Sequence, residues 1–270
     1  MKEYLRQQIE NIQDLKLARC IAREYLQARM LEFLQESSAF TNWVFVDGTA
    51  LRFLYSMPRF SEDLDFSLTR SEEDDRFMKH MERIKSGFKL EDYDVTIKAK
   101  IENNVKYAFI KFPGLLYELN LSALPPETLS IKVEIDTNPP DGAKLGTSII
   151  RKHVLLNLQH YDKSSLLAGK CHALLNRKYT KGRDIYDLMW YLSDRSWPEP
   201  NIVLLNNSVK QTGWTGPELT LENWREQIAH RLSEFDWDII IADIKPFVEK
   251  YSDLKLLTLE NLLKLLNQTK

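Results

Sequence analysis

Apolar positions recur at helical spacing over residues 3–36, and the register breaks within the stretch, which predicts one interrupted helix or two. The pattern then changes. Trp43 to Val46 is short, apolar and partly β-branched and reads as a buried strand. Asp47, Gly48 and Thr49 end it, and Ala50 to Tyr55 has helix-forming character with Leu51 and Leu54 packing inward. Asp63-Leu64-Asp65-Phe66-Ser67-Leu68 alternates polar and apolar, the period of a half-buried strand. Ser71 ahead of Glu72, Glu73, Asp74 and Asp75 has the form of an N-cap with acidic first-turn residues, opening a helix to about Lys85. Residues 91–101, 104–112 and 115–121 read as three strands, with turns at Asn103-Asn104 and Pro113-Gly114, and Ile131 to Thr137 as another.

Asn138-Pro139-Pro140-Asp141-Gly142 then stops regular structure, and a domain boundary is expected near residue 150. Beyond it the pattern is helical, over 162–178, 183–194, 199–210, 217–233, 237–250 and 258–268. Trp190, Trp197, Trp214, Trp224 and Trp237 fall in this half and read as helical core rather than a base-stacking platform. The expectation is an α+β chain: a mixed-sheet domain over 1–150, then a helical domain over 151–270 that contributes to the same site.

Composition adds bounds. The chain has 270 residues and a net charge of −2, so bulk charge does not draw it to nucleic acid or membrane. Cys20 and Cys171 are far apart and fit neither a disulfide framework nor a zinc pattern. The five histidines lack metal-binding spacing. The N-terminus is too charged for a signal peptide, and no apolar run reaches the ~18 residues of a membrane span, so a cytoplasmic location is expected.

The candidate chemistry lies in 44–68. A helix that starts just after a Gly48-Thr49 turn presents unpaired backbone N–H groups and positive partial charge, a seat for phosphate to which the Thr49 hydroxyl can add a hydrogen bond. Strand residues at i and i+2 share a face, so Asp63 and Asp65 point the same way. Two close carboxylates resist joint ionisation unless a cation sits between them, and magnesium suits oxygen ligands of this kind. In Ile131–Asp136 the polar set is Lys132, Glu134 and Asp136; beside the Asp63/Asp65 strand, Glu134 supplies a third carboxylate, with Asp136 as the substitute.

Further along, Leu167, Cys171, Leu174 and Leu175 form an apolar helix stripe, and Lys170, Ala173 and Arg177 a neighbouring face on which Lys170 can meet phosphates. In Lys181–Leu188, Gly182 marks a break, and the helix that follows turns Ile185, Leu188 and Met189 inward. Arg183 and Asp187 are spaced for a helix ion pair; alternatively Asp184 or Asp187 orients Lys170 or Arg183, or serves as a base toward an acceptor hydroxyl.

These motifs together, GTALRFLY, RFSEDLDF, KVEI and K…KGRDIYDL, resemble the nucleotidyltransferase AbiEii/AbiGii toxin family over about residues 40–192. The resemblance implies a DNA-polymerase-β-like nucleotidyltransferase fold and the toxin half of a bacterial type IV toxin–antitoxin or abortive-infection system. It implies that Gly48 and Thr49 contact the triphosphate, Asp63 and Asp65 hold magnesium with Glu134 as third ligand, and Arg59 and Ser61 steady the loop. Lys170 and Arg183 would meet nucleotide, and Asp184 and Asp187 match the late acidic motif. The family usually has Gly-Gly-Thr where this chain has Asp47-Gly48-Thr49; an acid there either repels a triphosphate or turns away from it. The expected reaction moves an NMP unit from an NTP to RNA, particularly the tRNA 3′ end, or to a protein hydroxyl. A small-molecule acceptor is the alternative. A cationic groove of Lys170, Arg177, Lys178, Lys181 and Arg183 would favour RNA, and the rival from another class is a non-catalytic module binding nucleotide or a partner. The leucine-rich end, 254–266, is expected to pack internally, with antitoxin binding as the alternative.

Overall fold

The computed structural model describes residues 2–70, 76–102, 104–177, 179 and 181–268. The expected N-cap Ser71 with its acidic run, Asn103 of the expected turn, and Lys178 lie outside the described residues. The chain forms two compact units: Met1–Leu54, Phe60–Pro139 and Thr147–His160 make the first, and Tyr55–Arg59, Pro140–Gly146 and Tyr161–Lys270 the second.

The first unit is organised on a mixed sheet of β1 (Trp43–Val46), β2 (Leu64–Leu68), β3 (Thr96–Ile101), β4 (Val105–Phe112), β5 (Leu129–Asp136), β6 (Leu145–Lys152) and β7 (Val154–Tyr161), in the order β3-β4-β5-β2-β1-β7-β6. β2 runs antiparallel to β1 and parallel to β5, while β4 is antiparallel to both β3 and β5. The strict alternation of β5 buries Ile131, Val133 and Ile135, matched on β4 by Ala108, Ile110 and Phe112. The N-terminal segment forms two helices, α1 (Lys2–Ile9) and α2 (Leu15–Glu36), and Asp14 caps the second by accepting from the Lys16 N–H at 2.8 Å. α2 packs on β5 and on α4 (Phe77–Leu90); α3 (Asp47–Tyr55) follows β1. Trp43 is fully buried, stacked against Phe77 with ring centroids 5.9 Å apart.

Two expectations change here. Residues 115–121 are not a strand: α5 (Leu115–Glu118) is a single helical turn after the Pro113-Gly114 turn, where Gly114 adopts φ 71°. Leu115, Leu116 and Leu119 bury at helical spacing, and Asn120 at φ 56° ends the turn. Residues 145–161, to which the periodicity assigned no element, are β6 and β7, and residue 150 lies within β6. β6 shows no buried residue, so the apolar pattern that reveals strands is missing from it.

The second unit is helical: α6 (Lys163–Asn176), α7 (Gly182–Ser193), α8 (Ile202–Gln211), α9 (Trp224–Ser233), α10 (Trp237–Ile244) and α11 (Leu259–Leu266). α6 packs on α7, α8 and α9, and α7 also on α10 and α11. The last helices are shorter than the periodicity predicts; Pro246 explains why α10 stops at Ile244. Trp197 and Trp224 belong to the core, Trp197 set edge-on to Tyr191 at 4.5 Å, whereas Trp190, Trp214 and Trp237 are half-buried. Leu262 and Leu266 of α11 are buried, so the leucine-rich end does pack internally. Among the described residues no helix is long and apolar enough to cross a membrane.

Candidate active site

The strand-to-helix turn in the first unit is tight. β1 ends at Val46, Asp47 takes a left-handed backbone at φ 64°, and α3 begins at once. That conformation costs most L-residues about 1–2 kcal/mol, with Asp among the better tolerated, and glycine relieves it. This gives a physical reason for the glycine that the resembling family carries there. Thr49 is fully buried, and its hydroxyl donates to the Asp63 carbonyl oxygen. The hydroxyl expected to meet a phosphate therefore braces the turn against the residue that precedes β2. What the turn offers an anion is the positive end of the nine-residue α3.

β2 and β5 are parallel neighbours, and their register sets Asp65 opposite Glu134 and Ser67 opposite Asp136. Register partners in a parallel pair share a face, so the structure brings Asp65 and Glu134 together on it. Lys132, two residues before Glu134, forms an ion pair with it. Burial pulls the Lys132 ammonium down, but the Glu134 hydrogen bond and charge, with the charges of Asp63 and Asp65, outweigh it and raise its pKa. All three carboxylates thus act on one cation, although Asp63 itself precedes the strand rather than starting it. Asp136 lies two residues beyond Glu134 on β5 and feels its charge. Burial raises its pKa, and its carboxylate accepts the Asn138 N–H at 2.8 Å.

The loop before β2 is anchored from α2. Gln27 donates to the Ser61 carbonyl at 3.1 Å, and Arg23 pairs with Glu62 at 3.2 Å. Arg52 of α3 lies 4.0 Å above the Phe60 ring and pairs with buried Glu24. Burial opposes the charge on Glu24, yet the His153 and Arg52 hydrogen bonds and the charges of Arg52 and Lys152 take its pKa to about 2. Sequence reasoning missed Arg23, Glu24, Gln27 and Arg52. The available signal was weak, since α2 carries charged residues along its whole length and nothing in its spacing marks Arg23, Glu24 and Gln27 as buried.

The second unit holds a cluster of paired charges. Lys170 of α6 is buried and reaches Asp187 at 2.8 Å and Asp184 at 3.1 Å. Arg59 grips Asp187 with two bonds of 2.5 Å, and Arg177 pairs with Asp184. Asp184 and Asp187 therefore do orient Lys170. They also remove it from any surface groove: among the expected groove residues, Lys170 is buried, Arg177 is paired, and Arg183 lies 4.5 Å from the Phe247 ring, while Lys181 is exposed. Arg59 anchors this helical cluster, whereas Ser61 belongs to the first unit.

The family model that matches the chain is described as "Nucleotidyl transferase AbiEii toxin, Type IV TA system" and covers residues 29–261. Solved structures resemble it as well. One, from H. pylori, is described as a nucleotidyltransferase candidate; it has a TM-score of 0.53 and 19% identity, over 92% of each chain. JHP933 from Helicobacter pylori has a TM-score of 0.52 and 19% identity, over 92% of this chain and 90% of its own. MenT4, the nucleotidyltransferase toxin Rv2826c of Mycobacterium tuberculosis H37Rv, has a TM-score of 0.51 and 16% identity, over 99% of each chain. At these identities the likeness establishes the fold. No protein of curated function is matched by the sequence.

Proposed function

The chain belongs to the nucleotidyl transferase AbiEii toxin family of type IV toxin–antitoxin systems, and from that premise we propose that it transfers an NMP unit from an NTP to an acceptor hydroxyl with magnesium, through Asp63, Asp65 and Glu134. One observation carries the reading: Asp65 faces Glu134 across β2 and β5, next to a turn tied to Asp63 by the Thr49 hydroxyl. Like charges set opposite in a sheet are destabilising unless a cation offsets them. Carboxylate oxygens of this kind are the donors a divalent ion such as magnesium takes. Magnesium held there supplies a lower pKa for the acceptor hydroxyl and charge neutralisation on the departing pyrophosphate.

The chain's own residues do the rest. The Asp47-Gly48-Thr49 turn seats the triphosphate at the start of α3. Thr49 fixes the Asp63 backbone, and Gln27 fixes Ser61 just before it. In the second unit, Asp184 and Asp187 act as positioning residues that fix buried Lys170 and Arg59 by ion pairs. The acceptor we favour is RNA, in particular a tRNA 3′ end, with a protein hydroxyl next; a type IV system also implies a cognate antitoxin as partner.

The test incubates the protein with each labelled NTP, magnesium and total RNA. Label should pass to RNA with release of pyrophosphate, and Asp63→Ala should abolish transfer with its circular dichroism unchanged. Full turnover by that variant rejects the assignment.

A further inference from the structure

The face of the sheet that carries Asp65 and Glu134 does not end with them. Following the register outward, three rows of side chains cross the strands. Lys100 of β3 pairs with Tyr107 of β4, which pairs with Glu134 of β5, which pairs with Asp65 of β2. The next row is Lys98, Phe109 and Lys132, and the next is Thr96, Lys111 and Ser130. α2 packs on β5, and α4 on β3 and β4, where the opposite, apolar set is buried. On the face in question Lys98 and Lys100 are exposed, and Tyr107, Phe109 and Lys111 half-buried. Lys98, Lys100, Tyr107, Phe109 and Lys111 line an open depression of about 520 Å³, a volume within the range of ligand sites.

The chemistry of that depression is specific. Tyr107 and Phe109 stand edge to face, centroids 5.8 Å apart and planes at 82°. Lys132 approaches the Tyr107 ring at 4.9 Å. Lys100 is answered by Glu102, both on the surface, but no ion pair engages Lys98 or Lys111 among the described residues. Aromatic faces between unneutralised cations suit a ligand that is both anionic and stackable. A single-stranded nucleic acid has those two properties together, whereas an acidic protein surface supplies only the first. Strands are about 4.8 Å apart, so Asp65 lies roughly 10 Å from the Tyr107 column along the sheet.

We propose that the exposed face of β3, β4 and β5 is a docking platform for single-stranded RNA, on which Phe109 and Tyr107 stack bases and Lys98 and Lys111 contact phosphates, leading the strand's end toward Asp65 and Glu134. The inference deepens the proposed transfer to RNA and rests on it for the meaning of the strand's direction. Binding itself needs neither magnesium nor NTP and is measured without them.

The experiment uses the full chain and a fluorescent single-stranded RNA of about 12 nucleotides, titrated by fluorescence polarisation between about 50 and 200 mM salt. Lys98→Gln/Lys111→Gln should flatten the slope of log K against log salt by about 1.4, so that the affinity lost across that range shrinks about sevenfold. Phe109→Val should weaken binding about fivefold or more. Unchanged slope and affinity in the lysine variant overturn the platform. So does equal displacement of the RNA by poly-glutamate at matched charge with no effect of Phe109→Val, which would mark an acidic-protein surface instead. Lysine-dependent binding with no transfer of nucleotide upholds the platform and rejects the catalytic reading. Transfer to RNA with an unchanged KM in the lysine variant overturns the platform and leaves catalysis standing.

Discussion

The buried cluster of the second unit makes a quantitative demand. Asp187 has no exposed surface, Arg59 is 2% exposed and Lys170 5%. Asp187→Asn keeps the volume and removes the charge. Lys170 retains Asp184, but the two-bond pair of Arg59 with Asp187 loses its negative charge in a buried site. Breaking a buried pair from one side costs about 3–5 kcal/mol, because the remaining charge stays desolvated. We expect about 3 kcal/mol for Asp187→Asn, whose amide oxygen still accepts one bond, and about 5 kcal/mol for Asp187→Ala. Urea unfolding followed by tryptophan fluorescence reads this directly, since Trp190, Trp197, Trp214, Trp224 and Trp237 all lie in the second unit. Arg59→Met with Asp187→Leu should recover most of the loss, giving a coupling of at least about 2 kcal/mol. A shift under about 1 kcal/mol for Asp187→Asn, the scale of an exposed pair, or strict additivity in the double variant, would refute the reasoning.

Glu24 ties stability to acid pH. Its pKa falls from 4.5 to about 2 on folding, so its contribution is complete above about 4.5 and lost as pH drops toward 2. Removing it with Glu24→Gln should cost about 3 kcal/mol at neutral pH and little at pH 2, measured by denaturation at both. Gly182→Ala places a methyl group 2.2 Å from the Ile240 carbonyl oxygen; about 1–3 kcal/mol of destabilisation is expected, visible as a lower unfolding midpoint. Asp47→Gly relieves the left-handed backbone but frees the unfolded chain, leaving stability within about 1 kcal/mol. With the acid gone, NTP should bind about fivefold more tightly by calorimetry, and weaker binding would count against a phosphate seat at this turn.

Much of this was legible in the sequence, for stated reasons. β4 and β5 announce themselves by alternation because one face is buried, β2 by alternation although both its faces are largely buried, and β1 by a short apolar run because both faces are largely buried. The register of β5 beside β2, which brings Glu134 to Asp65, is a long-range pairing that periodicity cannot give. β6 escaped because it buries no residue, and β7, although it buries Leu156 and Leu158, also sets Leu155 on the surface, which breaks the apolar alternation. Residues 115–121 misled because a short apolar run suits a strand and a helical turn alike. Lys170 with Asp184 and Asp187 was readable as helix spacing, but Arg59, more than a hundred positions earlier, was not placed with them.

Arg59 also bears on how the protein is made. It sits in a five-residue segment, Tyr55–Arg59, that belongs to the helical unit although the chain between it and Pro140 belongs to the other. Its neighbours arrive late: the Pro58 carbonyl accepts from the Tyr186 hydroxyl and the Glu249 N–H, and Arg59 bridges to Val248. Domains emerge from the ribosome from the N-terminus onward, so this guanidinium waits for Asp187, made 128 residues later, before it can pair. A toxin assembled this way has an early segment locked only by residues made much later, and chains terminated before those residues lack the partners that would close it.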